Sequence, residues 1–294
     1  MTEDYRATPS GESRLRRIVA PNPSPMTQAG TNSYILGHDR LAVIDPGPAI
    51  PAHIEALYDA IGGRPVAAIL VTHSHLDHSP AARPLAGRVD APVLAFGPSD
   101  AGQSETMRRL PNLDGGEGVD HDFAPDARLS DGDTIAGDGW TLRAIHTPGH
   151  MANHLSFHWV EAAATFTGDT VMGWASTMIS PPDGDLGQFM RSLDRLEALG
   201  AARFHPGHGD AVDAPGPRCA ALRAHRRDRE AAILAILETS NTVEGIVAAV
   251  YHDTPPALHA AAARNVLAHL IHLAERGAVA PDGPIGPDAR WRRR

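Results

Sequence analysis

Three histidines and one aspartate lie within six residues of the chain, in the run His73-Ser74-His75-Leu76-Asp77-His78. Neutral imidazoles and ionised carboxylates are the side chains that bind borderline divalent cations such as Zn²⁺. A solvated loop or a helix cap would account for Asp77, but it gives no reason to crowd three imidazoles together. The run therefore indicates a metal site.

The segments before this run place the histidines at the end of a strand. Val66 to Thr72 is short and rich in aliphatic and β-branched residues, and it follows the turn-forming Gly62-Gly63-Arg64-Pro65. This pattern predicts a buried strand. Further upstream, Tyr34 to Leu36 and Leu41 to Ile44 predict a hairpin, and Pro51 to Ile61 carries apolar residues at helical spacing.

Three later turns carry residues of the same chemical types, and each follows an apolar stretch. They are Thr147-Pro148-Gly149-His150, Phe166-Thr167-Gly168-Asp169 and His205-Pro206-Gly207-His208-Gly209. Glycine beside a ligand lets the backbone turn sharply and approach an ion closely. Each turn alone is as typical of an ordinary loop, so the prediction depends on their combination with the histidine run.

Taken in order, these turns resemble the metal-binding motifs of the metallo-β-lactamase-fold hydrolases. The resemblance covers roughly residues 17–213, and Gly30-Thr31-Asn32-Ser33-Tyr34 and Val43-Ile44-Asp45-Pro46-Gly47 are similar to the first hairpin of that family. It implies an α/β protein built as an αββα sandwich. It also implies seven metal ligands, each of the residue type found in the family: His73, His75, Asp77, His78, His150, Asp169 and His208.

The same resemblance divides the ligands between two divalent cations. One ion would be held by His73, His75 and His150, and the other by Asp77, His78 and His208, with Asp169 as the bridge. The nitrogen and oxygen donors suit Zn²⁺ and also admit Mn²⁺, Fe²⁺ or Co²⁺. Such a pair makes hydroxide available near neutral pH. The catalytic candidates are Asp169 and Asp77, which would steer this hydroxide. Asp45 either contacts a ligand imidazole or caps a turn.

The pattern divides the chain into three regions. Residues 1–16 are expected to form an N-terminal extension, residues 17–216 the catalytic domain and residues 217–294 a small winged-helix-like domain. The second half of the catalytic domain repeats the scheme of strands followed by a helix, Leu186 to Leu199. A polar, irregular segment between Gly97 and Asp126 is typical of a lid or binding loop.

After Gly216-Pro217 the pattern becomes helical. Three helices are expected, over Arg218 to Leu237, around Val243 to Val250 and around Val266 to Ala274, followed by a hairpin-like tail. Together with the stretches around His150 and Asp169, this resembles the lactamase-like proteins that carry a C-terminal winged helix, a branch that includes glyoxalase II-like and endoribonuclease-like proteins.

Charge and composition bear on the partners of the protein. The formal net charge is -9, which disfavours a nucleic-acid substrate without excluding one. Arginines 218, 223, 226, 227 and 229 and the final Trp291-Arg292-Arg293-Arg294 are interpreted as a solvated helix face and a frayed tail. The sequence has neither a secretory signal nor an apolar stretch of the ~20 residues that span a membrane. A single cysteine, Cys219, suits a reducing cytoplasm.

The leading hypothesis is a dinuclear metal hydrolase that acts on a small ester, thioester or lactone. The alternatives are a metal-dependent endoribonuclease acting on single-stranded RNA and a non-enzymatic nucleic-acid-binding regulator. Mononuclear iron dioxygenase chemistry, known in the same superfamily, also stays open. The third α-helix of the C-terminal region carries little positive charge, so this domain is expected to form an active-site wall or a homodimer interface.

Overall fold

Two facing β-sheets form the centre of the molecule. A computed structural model describes residues 14–110, 113 and 118–294, so most of the expected N-terminal extension, residues 1–13, lies outside the described residues. The first sheet contains β1 (Leu15–Val19), β2 (Asn32–Leu36), β3 (Leu41–Ile44), β4 (Val66–Leu70), β5 (Val93–Ala95) and β6 (Ala127–Arg128), in that spatial order. The second contains β7 (Thr134–Gly137), β8 (Trp140–His146), β9 (Leu155–Trp159), β10 (Ala164–Gly168) and β11 (Arg203–Pro206), also in sequence order.

The pairing of the strands directs several chain ends to one edge. β2 and β3 form the predicted antiparallel hairpin, with Tyr34 opposite Ile44. β3, β4, β5 and β6 run parallel to one another, and β10 runs parallel to β11 in the other sheet. Because parallel strands end at the same edge, the loops after β4, β10 and β11 are available to build one site.

One apolar core lies between the sheets, and a second apolar layer lies outside them. Leu70 and Phe157 face each other across the sandwich, whereas Ile69 points to the outer side. The helices of the catalytic region are α1 (Pro51–Ile61), α2 (Ala82–Val89), α3 (Glu105–Arg108) and α4 (Leu186–Ala198). α1 and α2 cover the first sheet, and α4 covers the second. This is the predicted αββα sandwich.

β1 begins at Leu15, inside the region expected to be an extension. Leu15 and Ile18 are buried, and Arg16 between them is exposed. The arginines beside these apolar residues give the segment the look of a polar extension, although it forms a strand that pairs with β2 along its whole length.

The C-terminal region has a helical core of its own. Its elements are α5 (Pro215–Ile236), α6 (Val243–Val250), a 3₁₀ turn (Pro256–Leu258), α7 (His259–Glu275), β12 (Val279–Asp282) and β13 (Arg290–Arg293). α5 packs against α4, and its Cys219 is an ordinary buried helix residue, as expected. The interpretation of residues 291–294 as a frayed tail is wrong, because β13 pairs with β12 and Trp291 is only 1% exposed.

The interpretation of the arginine run as a solvated helix face is wrong for Arg218, Arg223 and Arg226. Arg218 donates to the backbone oxygens of Met172 and Ala175 at 2.6 Å, and Arg223 pairs with Glu197. Arg226 is buried. Arg218, Arg223 and Arg226 therefore lie where α5 packs against the catalytic region, whereas Arg227 is exposed.

None of the helices in the described ranges is both long enough and apolar enough to cross a lipid bilayer.

Candidate metal centre

The seven predicted ligands meet at one edge of the sandwich. The run from His73 to His78 follows β4, His150 lies in the turn between β8 and β9, Asp169 directly follows β10, and His208 follows β11. Their nitrogen and oxygen atoms form three overlapping groups, within each of which all ligand atoms lie within 4.8 Å of one another. The groups are His73, His75 and His150; His73, His78 and Asp169; and Asp77, His78 and His208.

The first group consists of three imidazoles that converge on one point. His73 Nε2 and His150 Nε2 each lie 3.0 Å from His75 Nδ1. The rings of His73 and His75 meet edge to face, and so do those of His75 and His150. Three ring nitrogens at such distances leave a position for a cation between them.

The second group adds carboxylates. Asp77 Oδ2 lies 3.3 Å from His78 Nε2 and 3.2 Å from His208 Nε2. Asp169 lies between the two groups, with Oδ2 3.2 Å from His208 Nε2 and 3.7 Å from His150 Nε2. Two of the three groups contain the same residues that the sequence resemblance assigns to one ion each, and the assignment of ions to them stays a prediction.

Two buried atoms of this cluster test whether a cation fits. His78 Nε2 and Asp169 Oδ1 are buried and make no hydrogen bond to any of the described residues. Leaving such atoms unpaired is costly unless something else binds them. Both face the centre of the ligand set, where a divalent cation would satisfy them, so the donors present fit the metal pair.

Burial and mutual charge set the protonation of the ligands. Burial lowers the pKa of His75 to about 3, and the neighbouring His150 acts in the same direction. Burial also lowers the pKa of His208, but Asp169 and Asp77 outweigh it and raise that pKa to about 10. The first group therefore presents neutral imidazoles, and the second already draws positive charge to its carboxylates.

Hydrogen bonds behind the ligands orient their rings. Asp45 Oδ2 accepts from His78 Nδ1 at 3.0 Å, and Asp45 also accepts from the amide and hydroxyl of Thr72 at 2.7 Å each. His150 Nδ1 donates to the oxygen of Met178 at 2.7 Å. Since each Nδ1 is engaged, each Nε2 is left to face the centre. Asp45 thus contacts a ligand imidazole, the first of the two roles open from the sequence.

Glycines allow the close packing around Asp169. A Cβ on Gly168, whose φ is +47°, would lie 2.5 Å from His154 Nε2. A Cβ on Gly207 would lie 2.3 Å from Asp169 Oδ1. Gly207 requires glycine for the reason that the sequence suggested, namely close approach to a ligand, whereas Gly168 makes room for His154.

Sequence reasoning assigned no role to several residues that support the centre. His154 is buried, stacks on His73 at a centroid distance of 5.0 Å, and accepts from the amide of Asp169 at 3.2 Å. Thr177 donates to the oxygen of Asp169 at 2.7 Å. The only local signal was the short distance of His154 from His150 in the sequence, and Thr177 had none.

A cavity of about 620 Å³ opens over the ligands and is bounded by both regions of the chain. Three of the four exposed large apolar side chains among the described residues line it, namely Met26, Leu76 and Trp174. Arg229 of α5 is, in the described ranges, the one arginine or lysine in its wall. The cavity is therefore mainly apolar away from the ligands.

The segment expected to be a lid contributes to this cavity at its C-terminal end. Gly118 lines the cavity and accepts from the amide of Leu76 at 2.7 Å, and Asp120 donates its amide to Ser74. Residues 111–112 and 114–117 of the segment lie outside the described residues.

Comparison with known proteins adds two family matches. The family model of the metallo-beta-lactamase superfamily matches residues 26–208. The model of the beta-lactamase associated winged helix domain matches residues 242–291, which include α6, α7 and the terminal hairpin.

Individual proteins are similar over most of the chain. A Caenorhabditis elegans protein named beta-lactamase-like protein 2 homolog is 32% identical over 283 residues, 94% of this chain and 89% of that protein. An Aspergillus fumigatus atrochrysone carboxyl ACP thioesterase is 32% identical over 208 residues, 68% of this chain and 57% of that protein. The crystal structure of a metallo-beta-lactamase family protein from Thermus thermophilus is 26% identical, with a TM-score of 0.75, and the match covers 96% of this chain and 99% of that one.

Proposed function

The chain belongs to the metallo-beta-lactamase superfamily and is a hydrolase, and we propose that it uses two divalent cations to cleave an acyl thioester or a related small ester or lactone. The observation that carries this proposal is a complete set of seven nitrogen and oxygen ligands at the floor of a mainly apolar cavity. Zn²⁺ is the proposed metal, and Mn²⁺ and Fe²⁺ are compatible with the same donors.

The residues of the centre would have different roles in hydrolysis. When bound, the two cations would supply hydroxide near neutral pH and polarise the carbonyl oxygen of the substrate. Asp169 holds the two halves of the ligand set together. Asp77 lines the cavity and its side chain is 26% exposed, so it is placed to orient the attacking water and accept its proton.

A thioester suits this site better than an amide because of its leaving group. A free cysteine thiol has a pKa of about 8.5, so a thiolate leaves with little help from an acid. The cavity wall around Met26, Leu76 and Trp174 would bind an apolar acyl group through burial of surface. The thioesterase name of one relative supports the same substrate class.

Cleavage of single-stranded RNA is supported less well. A groove for nucleic acid needs several cations along the backbone as well as stacking platforms. Trp174 could stack, but Arg229 is the one arginine or lysine found in the described wall, and the net charge is -9. A regulator that only binds nucleic acid would have no use for the complete ligand set. We therefore infer that the C-terminal region completes the cavity.

The experiment that tests this function is a substrate panel on protein reconstituted separately with Zn²⁺, Mn²⁺ and Fe²⁺. The panel contains acyl thioesters of increasing chain length, a lactone, a phosphodiester and single-stranded RNA. We expect thioester hydrolysis with kcat/KM rising with acyl length, abolished by a chelator and restored by metal. RNA cleavage in the absence of thioester hydrolysis would contradict the proposal and favour the endoribonuclease.

A further inference from the structure

Arg226 of α5 is a buried charged side chain that has no carboxylate partner in the part of the chain that the structure describes. It is 3% exposed, and within the described residues its hydrogen bonds go to two neutral oxygens, the backbone oxygen of Thr177 and Asn265 Oδ1. Its Nε is buried and unpaired. Burial lowers its pKa to about 10, so the guanidinium remains charged at neutral pH. Such a group is costly to bury, and an apolar residue could fill the same space.

Both oxygens that Arg226 binds are linked to one short segment, Thr177 to Ile179. One is the backbone oxygen of Thr177, and the other, Asn265 Oδ1, is hydrogen-bonded to Ile179. Asn265 of α7 uses the same Oδ1 to accept from the amide of Ile179 at 3.1 Å, while its amide nitrogen donates to Ala261 at 3.2 Å. Arg226 and Ile179 both donate to this atom, so they fix which way the Asn265 amide points. Two helices of the C-terminal region thus hold this segment.

The other side of the same segment holds two of the ligands. Thr177 Oγ1 donates to the backbone oxygen of Asp169 at 2.7 Å, and the oxygen of Met178 accepts from His150 Nδ1 at 2.7 Å. The oxygen of Met178 and the amide of Ile179 belong to one peptide group, which is planar. The bond from Ile179 to Asn265 therefore fixes the rotation of the carbonyl that orients the His150 imidazole.

We propose that Arg226 and Asn265 are positioning residues for the metal centre: through the Met178–Ile179 peptide they set the orientation of His150, and with it the affinity of the position formed by His73, His75 and His150. The rigid fork of the guanidinium suits this task because it holds Thr177 and Asn265 at once. The inference rests on the metal centre proposed above but not on the identity of the substrate.

The test compares metal affinity among four variants and the full-length wild type. Arg226→Met and Asn265→Leu each remove the polar contacts. Asn265→Asp keeps an oxygen that accepts from both donors. Arg227→Gln is the matched control, because Arg227 is the next residue on α5 and is exposed. Zn²⁺ affinity at each position is measured by competition with a chromophoric chelator, and the visible spectrum of Co²⁺-loaded protein reports the ligand geometry.

We expect Arg226→Met and Asn265→Leu to lower the affinity for one of the two ions by about 10- to 100-fold, as loss of contacts behind metal ligands typically does. Both variants should also change the Co²⁺ spectrum. In these two variants the affinity for the other ion should remain near that of the wild type. Asn265→Asp and Arg227→Gln should bind both ions with nearly wild-type affinity. For Arg226→Met, kcat should fall with little change in KM, because Arg226 does not line the cavity.

Circular dichroism and thermal melting identify the variants that fold. If Arg226→Met does not fold, Asn265→Leu tests the same link from the other helix. Wild-type affinity for both ions and an unchanged Co²⁺ spectrum in a folded variant would overturn the inference, and so would an equal loss in Arg227→Gln. Failure of the wild type to bind metal would instead overturn the proposed function.

Discussion

The metal centre and the buried face of α5 both remove charged groups from water, but they balance that charge differently. In the centre, each carboxylate lies beside imidazoles, as Asp45 does beside His78 and Asp77 beside His208. Arg226 has neutral oxygens around it instead. The centre is therefore built to hold additional positive charge, whereas the contact at α5 uses an unbalanced charge to fix the backbone. The two regions should therefore respond differently to substitution.

The largest effect is expected at the bridge of the metal centre. Asp169→Asn keeps the size of the side chain but removes the negative charge shared by both groups of ligands. We expect kcat/KM to fall on the order of 10³-fold, with the far-ultraviolet circular dichroism spectrum unchanged. A metal-loaded Asp169→Asn protein with turnover near that of the wild type would remove Asp169 from its assigned role.

A smaller effect is expected one contact behind the ligands. Asp45→Asn replaces a carboxylate that accepts from His78 and Thr72, and asparagine tolerates the left-handed backbone at this position, where φ is 49°. Metal affinity and kcat/KM should each fall about 10- to 100-fold. The control Asp39→Asn, in the exposed turn of the first hairpin, should change neither quantity. Equal behaviour of the two variants would show that the centre does not depend on this pairing of charges.

The cavity between the two regions gives a third, weaker test. Trp174→Ala should raise KM for a long-chain acyl thioester by about 10-fold, equivalent to about 1.4 kcal/mol, and leave a two-carbon acyl thioester nearly unaffected. Val160→Ala is the matched control, because Val160 is an exposed apolar residue outside the cavity. Steady-state kinetics on both substrates checks the prediction. Equal changes for both acyl lengths would contradict an acyl-binding wall.

His53 is a third kind of buried titratable group, because its imidazole is uncharged at neutral pH. Burial lowers its pKa from 6.5 to about 4, and its Nε2 contacts Ser33 Oγ at 2.9 Å. Between these two pH values the unfolded chain binds the proton more readily. The stability that His53 contributes is therefore fully present above pH 6.5 and is lost as the pH falls toward 4.

This linkage amounts to at most about 3 kcal/mol. Wild type should lose more unfolding free energy than His53→Gln between pH 7 and pH 4, as measured by urea denaturation of chelator-treated protein. Parallel pH profiles of the two proteins would show that His53 does not titrate in this way.

The metal centre could be predicted from the sequence because its ligands are local. Seven side chains come from four short turns, and each turn follows an apolar strand. Short apolar runs mark several of the strands, and two β-rich halves, each followed by a helix, indicate a sandwich, which the resemblance to a family also implies. Spacing alone did not pair the ligands with ions, and the resemblance to a family supplied that division.

The contact at α5 could not be predicted because nothing local distinguishes it. Arg226 and Asn265 lie on different helices, and an arginine run on an amphipathic helix has the same pattern whether it faces water or another domain. Its partners at Thr177 and Ile179 are backbone atoms, which every residue possesses. β1 was missed for a related reason, because its arginines resemble a solvated extension although Leu15 and Ile18 are buried.

Elemental analysis of metal-reconstituted, gel-filtered protein measures whether seven side chains hold two ions. We expect about two transition-metal ions per folded chain. At most a trace of metal in folded protein, after reconstitution with zinc, manganese and iron in turn, would contradict this expectation.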